Sequence, residues 1–265
     1  MLQRLHKSII VFCQMLAMLF ATFLAASMPL SAQGKDLHIC YETNGSPLFT
    51  LEKDSKPKKR KGSMVALVAQ AVKNAGFHPL FYRRPWSRCI KDVISGKADG
   101  IFPMVWAMGR DEWGHFPRLA DGQLNDALAM RQATYRVFVP VKRKTQWDGK
   151  QFTNLSSGIG APFGYVVYFK LKDARVLSSM KLDSANGFKM LALNRIDGYV
   201  VEQKVGLKII KRQGWQDKIK MLPVPYHISH FHLLMSNPFY LAQSDGAESI
   251  WQEINQLRTV YIKNP

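Results

Sequence analysis

PWSRCIKDVISGKADGIFPMVWAMGRDEWGHFP, residues 85–117, decides the fold of this chain. Trp86, Ile90, Val93 and Ile94 recur at helical spacing, so residues 86–93 predict an amphipathic helix. Ser95-Gly96-Lys97 stops it, because glycine readily takes the left-handed conformation that ends helices. Ala98-Asp99-Gly100 then enters an apolar run over 101–106. A short apolar run after a helix predicts a buried strand of a layered α/β sheet. The next loop carries one early cation, Arg110. Ligands of open α/β sheets sit outside the carboxyl ends of strands, which puts Trp106 and Arg110 where a ligand can lie. The plainer reading of Arg110 is a loop arginine paired with Asp111 or Glu112.

Upstream, residues 36–42 alternate Leu37, Ile39 and Tyr41 on one face and predict the first strand, with Tyr41 and Glu42 emerging at its carboxyl end. A turn follows at 43–47, then a basic run over 51–61 that reads as a solvated loop. Residues 62–76 predict a helix capped by Ser63, with Met64, Leu67, Val68, Ala71 and Val72 as its buried stripe. Residues 78–82 predict the second strand. Trp86 stands at a loop-to-helix junction, placed either to stack on a ligand or to fill the core.

Downstream, 116–125 reads as a loop, 127–140 as strand material and 142–154 as a polar surface connection. A short strand at 159–160 leads through Ala161-Pro162-Phe163-Gly164 into a helix, whose first free N–H groups suit an anion. Residues 176–181 predict a strand. Ser184 predicts the cap of a helix over 185–193, and 199–201 a buried strand ending at Glu202. "LNRIDGYVV" repeats the order of "SGKADGIFP", which argues for two units of like architecture. Residues 204–213 read as a helix, 219–222 as a strand and 247–257 as a closing helix. His227, His230 and His232 fall in 223–232; an extended segment puts His230 and His232 on one face, but no Cys, Asp or Glu lies in the tract and no metal is assigned.

The stretch at 85–117 resembles the first lobe of the periplasmic solute-binding proteins of family 3, the amino-acid-binding type. Pro85, Trp86, Arg88, Ser95, Gly96, Asp99, Gly100, Phe102, Pro103, Arg110 and Phe116-Pro117 carry the likeness. The resemblance implies an α/β fold of two lobes, of the periplasmic-binding-protein type II-like kind, with a ligand cleft between them. It implies that Arg110 clamps a carboxylate, chemistry that a guanidinium fork suits. It further implies that backbone at Gly164-Tyr165 shares that carboxylate, that Glu202 receives a cation, and that Trp86, Trp106 and Tyr41 wall the cleft. The family's small hydroxyl residue is replaced here by Tyr165, and its usual Asp by Glu202.

Residues 1–32 begin with Arg4, His6 and Lys7, continue through a mostly apolar run and end near small residues, the pattern of a cleaved signal peptide; an uncleaved anchor is the other reading. The expected division is 1–32 signal peptide, 33–125 first lobe, 126–222 second lobe, and 223–265 a return to the first lobe. Net charge is +18, and residues 33–265 carry thirty-five cations against nineteen acids, a net +16. Such an excess favours anionic ligands or surfaces. No nucleic-acid motif is present. Cys13 leaves with the leader, so Cys40 and Cys89 form either a disulfide, as an oxidising compartment favours, or two separate buried thiols. The expectation is a monomeric periplasmic protein without cofactor. It captures a small carboxylate-bearing solute, such as an amino acid, for an inner-membrane ABC-type permease. A non-transport envelope sensor or accessory protein is the alternative. An enzyme is disfavoured, since no nucleophile elbow and no HExxH motif appears.

Overall fold

The computed structural model describes residues 34–43 and 64–262. The chain begins with β1 (Asp36–Glu42), α1 (Met64–Asn74), β2 (His78–Arg84), α2 (Trp86–Ile94) and β3 (Gly100–Val105). It continues through β4 (Gly114–His115), β5 (Arg131–Pro140), β6 (Gln146–Trp147), β7 (Phe152–Thr153) and β8 (Ile159–Gly160). Then come α3 (Val166–Asp173), α4 (Ser184–Ala192), β9 (Gly198–Glu202), α5 (Gln203–Gln213), β10 (Ile219–Ser236), α6 (Asn237–Ala242) and α7 (Ser244–Tyr261). The result is the mixed α/β architecture expected from residues 85–117.

One sheet runs β2-β1-β3-β10-β5-β9-β8, with β4 added to β10, and β6 pairs with β7 as a separate hairpin. β1 is parallel to β2 and β3, as βαβ crossovers through α1 and α2 require. β10 is antiparallel to both β3 and β5 and joins the two halves of the sheet. Its amino-terminal part pairs with β5, its last residues pair with β3, and Phe231 faces both Val105 and Arg131. The first half is therefore β2-β1-β3 and the second half β5-β9-β8.

Alternation along β1 assigns its faces. Leu37, Ile39 and Tyr41 join the α1 stripe and Ile250, Trp251 and Ile254 of α7 in the main core. Cys40 points the other way and joins Trp86, Cys89 and Val93 of α2 with Ile101, Met104, Phe116 and Leu234. Cys40 and Cys89 form a disulfide, with 5.5 Å between their Cα atoms. Burial on both faces explains why β3 reads apolar almost throughout.

Several expected elements change. Residues 176–181 form no strand; only the single bridges Ile159–Leu177 and Pro162–Leu182 occur, because β8 is two residues long and offers no ladder. Asp183, not Ser184, caps α4, accepting the Asn186 N–H at 2.8 Å. Residues 126–128 are a 3₁₀ turn, and β5 starts at Arg131. The strand expected at 219–222 runs on to Ser236. Pro223 and Pro225 donate no ladder bond, and the register slips on either side of Pro225 instead of the strand ending. The surface connection at 142–154 carries the β6–β7 hairpin, held by Trp147 against Phe152 and Tyr226. The expected leader at 1–32, the basic run at 51–61 and Ser63 lie outside the described residues. No helix among the described residues is long and apolar enough to cross a membrane.

Candidate functional site

β1, β3 and β8 end on the same side of the fold, where the loops leaving β3 and β8 meet: Arg110 Nη2 donates to the Gly164 carbonyl. The loop after β3 turns at Gly109, whose φ of 83° is left-handed, and delivers Arg110 into a 3₁₀ turn. The loop after β8 turns at Gly164, with φ of 82°, and delivers Tyr165 to the start of α3. A Cβ at Gly164 would stand 3.4 Å from the Trp86 ring, so backbone and indole are already in contact there.

Arg110 is buried, at 8% exposure. Its Nη1 donates to the Val105 carbonyl at 2.5 Å and lies 2.8 Å from Met104 Sδ, while Nη2 donates to the Gly164 carbonyl at 3.2 Å. No carboxylate of the described residues forms an ion pair with it. Asp111 turns away to pair with Arg118 and accepts the Trp106 indole N–H at 2.8 Å. The loop-arginine reading thus does not hold. Burial pulls the Arg110 pKa down, a drop that the nearby Tyr135 opposes. A guanidinium in this position is costly without an anion.

Trp86 is likewise buried, at 7% exposure, and its Nε1 has no hydrogen-bond partner among the described residues. Its ring lies 5.9 Å from that of Tyr165. The Tyr165 hydroxyl donates to the carboxylate of Glu42, across from the second half of the sheet to the first. Burial raises the Glu42 pKa, and the Tyr165 bond works against that rise. Burial, followed by the charge of Glu42, drives the Tyr165 phenol well above its ordinary value.

The expected site residues therefore divide. Arg110, Trp86, Gly164 and Tyr165 come together. Trp106 stands in the same loop but faces Asp111, with the Arg118 guanidinium 5.9 Å from its ring. Tyr41 packs in the core against Phe81 and Phe102, under Arg83. Glu202 is buried at the end of β9, where it pairs with Arg131 at 3.1 Å and caps α5 by accepting the Val205 N–H at 3.1 Å. It lines an open pocket with Arg131, Thr134 and Lys204. Tyr135 sits between these groups; burial and then Glu202 raise its pKa, and Arg110 and Arg131 oppose them.

Two groups stand outside the expected site residues, although the sequence already brings Glu42 to the carboxyl end of β1. Glu42 follows Tyr41 on the opposite face of β1, so the alternation that buried Tyr41 already aimed Glu42 elsewhere. Asp126 meets both His230 (3.0 Å) and His232 (3.2 Å), which do share a face of β10. No group of three or more His, Cys, Asp or Glu arranged for a metal occurs among the described residues.

No protein-family model matches the chain. No curated protein sequence matches it either. Solved structures do. A histidine kinase sensor domain with similarity to periplasmic binding proteins superposes with a TM-score of 0.68 at 12% identity, over 86% of this chain and 92% of that one. The fold is that of the periplasmic binding proteins. An amino acid ABC transporter substrate-binding protein from Streptococcus pneumoniae, bound to L-arginine, shares this binding-protein fold with a TM-score of 0.64 at 15% identity, over 84% of this chain and 89% of that one. The GluR0 ligand-binding core from Nostoc punctiforme, in complex with L-glutamate, does so with a TM-score of 0.63 at 13% identity, over 84% and 93%. Binding proteins and a sensor domain, not enzymes, make up these neighbours of the binding-protein fold.

Proposed function

We propose that this chain is a solute-binding protein that captures a small carboxylate-bearing solute, an amino acid or similar, between the two halves of its sheet. The observation that carries the reading is Arg110: a buried guanidinium that has carbonyls and a thioether around it and no carboxylate partner among the described residues. A solute carboxylate would take the place of the Gly164 carbonyl on Nη2 and gain the Trp86 N–H as a second donor. A cationic group on the solute would meet Glu42 rather than Glu202, whose charge Arg131 already answers. The lobes of this reading are 33–125 with 223–265, and 126–222. The setting is the periplasm after removal of residues 1–32, the form is a monomer, and the partner is an ABC-type permease of the inner membrane.

The test is a thermal-shift panel of amino acids and small carboxylates. A solute at a hundred times its dissociation constant stabilises by about 2.7 kcal/mol. The expected result is a carboxylate whose shift vanishes in Arg110→Ala. A shift that survives that change overturns the reading.

A second reading, an envelope sensor built on the same fold, is favoured by one observation, the superposition on a histidine kinase sensor domain. Capture of a permease or of a kinase by the solute-loaded protein separates the two.

A further inference from the structure

Charge is divided unevenly between the halves of the sheet. Residues 131–222 hold eighteen Lys and Arg against six Asp and Glu, a surplus of twelve. The other described residues hold ten against eleven, a net of −1.

Half of the surplus, seven cations against one acid in 141–144 and 211–220, gathers at one pole. The Val141 N–H donates to the Lys218 carbonyl at 2.9 Å, and Ile219 pairs with Pro140, so 141–144 lies beside 218–220. Gly214 closes α5 in the left-handed conformation, which runs Lys211 and Arg212 into the same turn. Lys142, Lys144, Lys211, Arg212, Lys218 and Lys220 are all exposed. None of them has an ion-pair partner among the described residues. Asp217 is the one acid in 141–144 and 211–220.

The loop that presents them is pinned from beneath. Arg143 reaches Asp197 at 2.5 Å and Ser156 Oγ at 2.6 Å. Asp197 is fully buried and also accepts the N–H groups of Ser156, Ser157 and Gly158. The inward arginine leaves Lys142 and Lys144 facing water on either side of it. Complementing the dipole of α5 accounts for Lys211 and Arg212 alone; the other four cations stand at no helix end. Nor does the pole serve the cleft. It lies where β5 ends, whereas Arg110 and Tyr165 lie at the carboxyl ends of β3 and β8. β8 is parallel to β9 and β9 antiparallel to β5, so these are opposite ends of the sheet.

We infer that this pole is a docking face for an anionic lipid bilayer. Five of its six cations are lysines, point charges suited to a diffuse field of phosphate headgroups rather than to the bidentate recognition that favours arginine. Clusters of four to eight such residues give useful attraction to anionic membranes, each contributing about 1 kcal/mol near the surface. Val141, 43% exposed among the lysines, adds an apolar side chain to the same face.

The experiment is co-sedimentation with vesicles of phosphatidylcholine alone and of phosphatidylcholine with about 30% phosphatidylglycerol, an order-of-magnitude match to an anionic leaflet. Two variants are compared with the parent in the same full chain, so that residues 1–33 and 44–63 contribute equally to all three. One carries Lys142→Gln, Lys211→Gln, Lys218→Gln and Lys220→Gln. The other carries Lys35→Gln, Lys73→Gln, Lys91→Gln and Lys97→Gln, exposed lysines of the first half. All these side chains are exposed, and unchanged melting of both variants confirms the fold. The expected result is that the first set lowers the phosphatidylglycerol-dependent partitioning at least about 100-fold and the second set lowers it far less. Salt abolishes the difference. Equal losses in the two variants, or parent binding indifferent to phosphatidylglycerol, overturn the inference, as does binding of an acidic protein by the pole without any binding to vesicles.

Discussion

The hydroxyl of Tyr165 donates to the carboxylate of Glu42, a residue 123 positions earlier in the chain. One comes from the mouth of β8 and the other from the end of β1, so this hydrogen bond, together with the one from Arg110 to the Gly164 carbonyl, ties the two halves of the sheet where a solute is proposed to sit. The bond shields Glu42 in a place where burial already disfavours its charge. Tyr165→Phe leaves that carboxyl without its donor, and unfolding should cost about 1–3 kcal/mol less than in the parent. Chemical denaturation measures this directly.

Glu42 also sets a pH dependence. Its folded pKa is raised above the ordinary 4.5, chiefly by burial. The folded state therefore holds the proton more tightly than the unfolded chain. The associated stability is fully present below pH 4.5 and is lost as pH rises through the folded pKa. Glu42→Gln should remove that part of the decline, as melting temperatures taken across the range would show.

His232 has the opposite sign. It is wholly buried, and burial pushes its pKa down to about 4, against the pull of Asp126. Asp126 and His230 are the ionisable groups that act on it. The unfolded chain takes a proton near 6.5 that the folded chain refuses, so stability present above that pH falls as acid is added toward 4. His232→Gln should flatten the melting temperature over this window, whereas a parent-like slope in the variant would assign the acid sensitivity elsewhere.

Arg110→Met should separate stability from binding. It deletes hydrogen bonds to Val105 and Gly164 but also deletes an unanswered buried charge. These effects oppose each other, and the solute-free midpoint should move by less than about 4 °C, near 1 kcal/mol for a domain of this size. Binding of a carboxylate should be lost. Arg110→Lys keeps the charge without the fork and should weaken binding at least about tenfold.

The Cys40–Cys89 disulfide closes a loop with a sequence separation of 49 and joins the strand of Glu42 to the helix of Trp86. Removing it should cost about 4 kcal/mol by the loop-entropy relation. The native parent should show neither Cys40 nor Cys89 to a thiol reagent, and reduction should lower the melting temperature and weaken solute binding together.

The sequence was most legible where local pattern and burial agree. Residues 85–117 announced a helix, a stop, a buried strand and an arginine-bearing loop, and each stands there. The long reach of β10 was hidden, because Pro223 and Pro225 break the pattern that marks a strand, and only pairing with β5 and β3 carries it through. That Arg110 stands just beyond the carboxyl end of β3 was readable from the order of elements alone. Its lack of a carboxylate was not, because Asp111 and Glu112 follow it directly and only the fold shows Asp111 turned toward Arg118. Glu202 shows the converse: its place at a strand end was readable, but its partner Arg131 lies 71 positions away on another strand.

β10 carries one mechanical consequence. Its 18 residues span about 60 Å at about 3.3 Å each, crossing from one half of the molecule to the other without a loop. A continuous ribbon cannot fold sharply like a door. The expectation is that any relative movement of the halves is taken up as twist along it. The ladder is broken at the slips around Pro225, within the β5 pairing, and between His232 and Leu234, beside Phe231 where the pairing passes from β5 to β3.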